Sequence, residues 1–171
     1  MARRISIGQG PFDIDFDATI KDPREAVGRR VLSAWMLAAV DSLGYLIDAL
    51  EADSAPARDA AARALQHWIV QDPGRDARLV EALGSKALFT DSQRTLLIGL
   101  VRATPVVESA DKLFELLRHD RLAVRELARM HLARLDPAGA KESRYDAAAD
   151  QRAMQAATWE RVWKKRMKGK E

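Results

Sequence analysis

Apolar positions along most of this chain recur at helical spacing, and in two stretches the recurrence is the same. In Gly44 to Leu65, the apolar residues Leu46, Ile47 and Leu50 stand at i, i+1 and i+4. Asp53 follows, and then Ala57, Ala61 and Leu65 at i, i+4 and i+8. In Asp111 to Leu135 the same order returns without a gap: Leu113, Phe114 and Leu117, then Asp120, then Val124, Ala128 and Leu132. This is the period of a helix and not of a strand. Each stretch therefore reads as a short helix, a tight corner and a longer helix. The aspartate at the corner stands where an N-cap is wanted. Arg58 and Arg125, five residues further on, lie one turn into the second helix, within reach of an aspartate in their own turn or in a neighbouring unit.

The rest of the chain follows in weaker form. Asp22-Pro23-Arg24-Glu25 has the chemistry of a helix start, with Asp22 as cap, proline in the first turn and Glu25 reaching back. The helix it opens carries Val27, Val31, Trp35 and Ala38, and Gly28 stands where the other copies have arginine. Arg75 to Leu83 and Asp91 to Ala103 form a third pair, capped at Thr90 or Asp91. Gly99, inside its second helix, marks a close-packing point or a weak spot. Asp136-Pro137-Ala138-Gly139 ends the repeats, and a polar linker, Ala140 to Arg144, leads past Tyr145 to a last helix from about Ala149 to Met167. The apolar stripe of that helix is Ala149, Ala153, Ala156, Trp159, Trp163 and Met167. At the other end, Phe12 to Asp17 alternates apolar and acidic residues, the pattern of an extended segment whose Phe12, Ile14 and Phe16 cover the open end of a helix stack.

The repeated pattern resembles the HEAT repeat, an α-solenoid unit, through Asp53, Ala57, Arg58, Ala61 and Leu65 and their counterparts Asp120, Val124, Arg125, Ala128 and Leu132. The resemblance implies an all-α fold: a short right-handed α-solenoid of about four helix pairs, with an extended N-terminal segment and a C-terminal capping helix. It also implies a ladder of stacked pairs, Asp53 with Arg58 and Asp120 with Arg125. The expected organisation is a lead-in at 1–21, repeats at 22–136, and a linker with a basic helix at 137–171 on the same domain. The acidic-apolar lead-in before Asp22-Pro23-Arg24 is similar to that of compact HEAT-like modules at the ends of larger bacterial proteins. On that reading the chain is one module of a longer, envelope-associated polypeptide.

Composition narrows the picture without naming an activity. The chain has 171 residues and no cysteine, so disulfides and thiolate metal sites are excluded. No apolar run approaches the roughly 18 residues of a membrane span. Met1-Ala2-Arg3-Arg4 is followed by no apolar core of a signal peptide, which favours the cytoplasm if the chain stands alone. The net charge of +3 is unevenly placed. From Trp159 onward six basic residues stand against two acids, so the tail is +4 and the remainder −1.

Candidate chemistry is sparse. His67, His119 and His131 form no HExxH or other paired-ligand spacing. Asp13, Asp15 and Asp17 begin like a calcium loop, but Ala18 stands where glycine is needed and Arg24 where the bidentate glutamate belongs. No catalytic group, cofactor or metal ligand is predicted. The expected function is a non-enzymatic protein–protein interaction or scaffold module. Its concave face, made by the second helices, carries Arg63, His67, Arg129 and Arg134, and its partner is another protein. The alternative is a nucleic-acid-binding protein related in fold to the HEAT-like alkylpurine DNA glycosylases. That reading draws on the basic tail, Arg161, Lys164, Lys165 and Lys168. Those enzymes use tryptophans, whereas Trp35, Trp68, Trp159 and Trp163 here fit apolar core stripes.

Overall fold

The computed structural model describes residues 11–104, 106–142 and 149–168, so Tyr145 and the end of the expected linker, Ser143 and Arg144, lie outside the described residues. The described residues are all-helical and contain no strand. Contacts divide the chain into two compact units, residues 1–102 and 103–171.

The first unit holds six helices: α1 (Pro11–Lys21), α2 (Val27–Ala39), α3 (Leu43–Ala49), α4 (Ala55–Val70), α5 (Arg75–Gly84) and α6 (Asp91–Arg102). α1 packs on α2, α3 on α4, and α5 on α6. α2 also packs on α4 and α4 on α6, while α1 packs on α3 and α3 on α5. The second unit holds a 3-10 turn (Val107–Ser109), α7 (Ala110–Leu116), α8 (Leu122–Leu135), α9 (Pro137–Glu142) and α10 (Ala149–Lys168). α7 packs on α8 and α10, and α9 on α8 and α10.

The repeat seen in the sequence is a repeat of helices. α3 and α4 begin 67 residues before α7 and α8, counting from Leu43 to Ala110 and from Ala55 to Leu122. All six matched apolar pairs are buried, from Leu46 with Leu113 to Leu65 with Leu132. Alanine at positions 57 and 61, and at 128, leaves little side chain between the backbones of neighbouring helices.

One arginine device recurs in every pair. Arg58 on α4 donates to the carbonyls of Ala52 (2.6 Å) and Asp53 (3.0 Å). Arg125 on α8 donates to those of His119 and Asp120, both at 2.7 Å. Arg30 on α2 donates to the carbonyl of Ile20 (2.7 Å), and Arg94 on α6 to that of Lys86 (2.9 Å). In each case a guanidinium on the second helix donates to carbonyls where the first helix, or the corner after it, ends.

Several expectations are corrected. Residues 11–21 are a helix and not an extended segment, and the side facing α2 and α3 carries Asp13 and Ile20. Phe12 and Ile14 are exposed. Asp13 is buried because it accepts a hydrogen bond from the Ser42 hydroxyl at 2.6 Å. Asp22 does not cap α2. It accepts the Arg24 N–H within a turn, and α2 starts at Val27 after Ala26. Asp53 and Asp120 do not cap either, since the N-cap positions are Ser54 and Arg121. The Asp53 carboxylate instead pairs with Arg30. The core face of α2 is Arg30, Ser33, Ala34 and Leu37, one residue out of phase with the expected stripe. Residues 137–142 form a helix where a linker is expected. Thr90 caps α6: its hydroxyl accepts from Gln93 N–H, and the Gln93 side chain accepts from Thr90 N–H.

Candidate interaction surfaces

The exposed side of α2 is apolar. Gly28, Leu32, Trp35 and Ala39 share one face of the helix and are all exposed, Leu32 at 59% and Trp35 at 38%. On α4, Arg63, His67 and Val70 share the exposed face, with Val70 at 74%. The two faces meet where the Trp35 and His67 rings lie edge to face, 6.3 Å apart at 64°. His67 also contacts the Gln71 amide (2.8 Å), and Arg63 pairs with Asp59 (2.7 Å).

Two of the four residues expected on a common face are thus brought together. Arg63 and His67 stand one turn apart on α4, within the first unit. Arg129 and Arg134 belong to α8 of the second unit and do not share a side of that helix. Arg129 is largely covered and pairs with the fully buried Glu126 (2.7 Å), a partner that fixes it to the core. Arg134 is exposed near the end of α8. Trp35 is the residue that sequence reasoning placed on the core stripe, and Leu32 is one it did not place. The signal was present in Leu32, which lies off the stripe drawn through Val27, Val31 and Trp35.

The basic tail resolves into two groups. Lys164 is held by Glu160 (2.8 Å) and Asp111 (3.0 Å), and these hydrogen bonds, Glu160 first, raise its pKa above the ordinary lysine value. Arg166 binds the buried carboxylate of Asp136 (2.5 Å), which also accepts from the Trp159 indole (2.8 Å). Arg161, Lys165 and Lys168 are exposed and make no ion pair with a described residue. No protein-family model, curated protein or solved structure matches the chain.

Trp68, Trp159 and Trp163 are core residues. Trp68 is the hub of a charged cluster in the first unit. Its indole donates to Asp41 (2.5 Å), and the guanidinium groups of Arg75 and Arg78 lie 4.8 and 5.3 Å from its ring centre. Burial alone raises the Asp41 pKa, but the hydrogen bonds from Trp68 and Arg78 and the charges of Arg78 and Arg75 outweigh it and leave it below its ordinary value. These partners make the cluster a joint between the α2–α3 corner, α4 and α5. Among the described residues no group of three or more His, Asp or Glu side chains is placed to hold a metal ion. No helix among them is long and apolar enough to cross a membrane.

Proposed function

We propose that the chain is a non-enzymatic interaction module built from HEAT-like helix pairs, with a binding face on α2 and α4 of the first unit. The observation that carries this reading is the recurrence of one arginine device in all four pairs. The device ties each pair together for stacking, and solenoids of this kind present a concave surface, made here by the second helices, to partners. The order of packing in the first unit, α2 on α4 on α6 beside α1 on α3 on α5, supports the solenoid arrangement there. The exposed Leu32, Trp35, His67 and Val70 supply apolar and aromatic contact area, ringed by the paired Arg63. Trp and Arg are favoured as interface anchors, and an apolar centre with a polar rim is the usual anatomy.

Quantitative affinity capture from the source organism tests it, comparing the native chain with Leu32→Glu and Trp35→Glu. The expected result is a defined protein lost by both variants, which then binds the native chain at fixed stoichiometry in calorimetry. Both side chains are exposed, so circular dichroism should be unchanged. A binding protein indifferent to both substitutions would remove the α2–α4 face.

The nucleic-acid reading keeps one observation in its favour, the exposed cations of α10. It is weakened on α4 and α8, where Arg63 and Arg129 are already paired to carboxylates. A duplex-DNA titration at two salt concentrations separates the readings, because phosphate binding falls linearly in logarithm with log salt.

A further inference from the structure

Helix α10 carries two features side by side on its exposed surface. Arg161, Lys165 and Lys168 recur at i, i+4 and i+7, so they form one row along two turns. Ala157 continues that row by a turn toward the N-terminus. Beside the row, between α9 and α10, lies a mainly apolar cleft of about 220 Å³. Gly139, Met154, Thr158, Trp159 and Val162 line it together with the polar Gln155 and Arg166. Met154 and Val162 are exposed. Lys164 lies on the same surface beside the row, but Glu160 and Asp111 engage its charge.

We propose that the outer face of α10 docks an acidic amphipathic helix of another protein. One apolar side chain of that helix fills the cleft beside Trp159, and carboxylates at i, i+4 and i+7 meet Arg161, Lys165 and Lys168. Charge complementarity sets the acidic half of the partner, and the neighbouring cleft sets the apolar half. A row at helical spacing on a straight helix is matched by the same row on a second helix. A nucleic-acid strand fits less well, because the cationic row holds no aromatic ring on which bases stack. A membrane surface fits less well too, because the exposed side lacks the broad apolar face an interfacial helix buries. This surface belongs to the second unit and stands independently of the α2–α4 face.

The test is fluorescence anisotropy of the full chain with labelled synthetic helices. Each helix carries glutamates at i, i+4 and i+7 and a leucine, phenylalanine or tryptophan anchor. Controls carry alanine at the anchor, or glutamine in place of glutamate. The expected result is saturable binding of at least one anchored helix. It should weaken about tenfold or more in Arg161→Glu/Lys165→Glu/Lys168→Glu and in either peptide control, the scale typical of losing close charge pairs or an anchor. Val162→Glu, which puts a charge at the cleft wall, should weaken it similarly with unchanged circular dichroism. Lys165→Glu alone, at an exposed position, gives a smaller loss and guards against a folding defect in the triple variant. Three results would overturn the proposal. One is the absence of binding by all three anchored helices. Another is binding indifferent to Val162→Glu and to the peptide anchor. The third is displacement of the peptide by equimolar duplex DNA or by anionic vesicles, which would assign the row to phosphates.

Discussion

A guanidinium that is 1% exposed, as Arg58 is, survives in a core only because its charge and its donors are engaged. Here the acceptors include main-chain carbonyls, so removing the arginine strands backbone oxygens as well as deleting a contact. Arg58→Leu is expected to cost about 2–4 kcal/mol, and Arg125→Leu a similar amount, because unsatisfied buried groups are penalised more heavily than a hydrogen bond is rewarded. Urea denaturation checks this, and Arg58→Lys should recover only part of the loss, since an ammonium lacks the planar fork. Both arginines were legible in the sequence from their spacing, while their carbonyl acceptors were not. An aspartate at a corner invites a capping assignment, and only the fold shows that Arg30 draws the Asp53 carboxylate away. The phase of α2 failed for a related reason. Its apolar residues do favour one side, through Val27, Val31 and Trp35, but the core takes the neighbouring side, which carries Arg30 and Ser33. The choice is made by Arg30, which must reach both Ile20 and Asp53, and it leaves Leu32 and Trp35 in solvent.

At the scale of elements, two glycines within helices differ in what surrounds them. A Cβ at Gly99 would meet nothing within 4 Å, whereas one at Gly139 would overlap the Trp159 indole and the Asp136 carboxylate. Gly99→Ala is expected to stabilise by about 0.5–1 kcal/mol, the cost of glycine inside a helix. Gly139→Ala should destabilise by about 1–3 kcal/mol, the range for overpacking, with a red shift of tryptophan emission as Trp159 is displaced. Thermal melts and emission spectra of the two variants distinguish these cases. The joint at Asp41 adds a pH dependence. Its folded pKa is lowered, so its contribution is fully present above the unfolded carboxyl value of about 3.9 and is lost as pH falls through the folded value. Asp41 also has a positive φ of 59°, which asparagine tolerates well. Asp41→Asn should therefore keep the backbone, lower stability at neutral pH and flatten the acid limb of the stability profile. An unchanged acid limb in pH-dependent urea melts would show that the cluster carries no linkage. The helical nature of these elements was legible in the sequence, except at 137–142, where Pro137 and Gly139 suggested a linker, and at 11–21, where strict alternation suggested a strand. The alternation was outweighed because a helix allows Asp13, Phe16 and Ile20 to share a side, with Ser42 present to satisfy the buried carboxylate.

At the scale of the molecule, the repeat spans a boundary that periodicity does not register. The same pair, α3 with α4 and α7 with α8, is built into two compact units divided after Arg102. Each unit has its own apolar centre, with Leu37, Leu46, Leu65 and Leu97 in the first and Phe114, Leu117, Leu127 and Trp159 in the second. A boundary of this kind depends on where contacts cease. In sequence it shows only as the break at Thr104-Pro105, which also reads as an ordinary loop between repeats. Cores held separately unfold separately when one is weakened, and two-state behaviour is then lost. The tryptophans make this measurable, since Trp35 and Trp68 report on the first unit and Trp159 and Trp163 on the second. In Arg58→Leu, urea unfolding followed through Trp68 should shift to lower denaturant. Unfolding followed through Trp159, in a background where Trp35 and Trp68 are phenylalanine, should stay where it is. Gly139→Ala should produce the reverse. Coincident shifts of both probes in either variant would show that the two units unfold as one cooperative body, and the repeat would then be a single array in energy as well as in sequence.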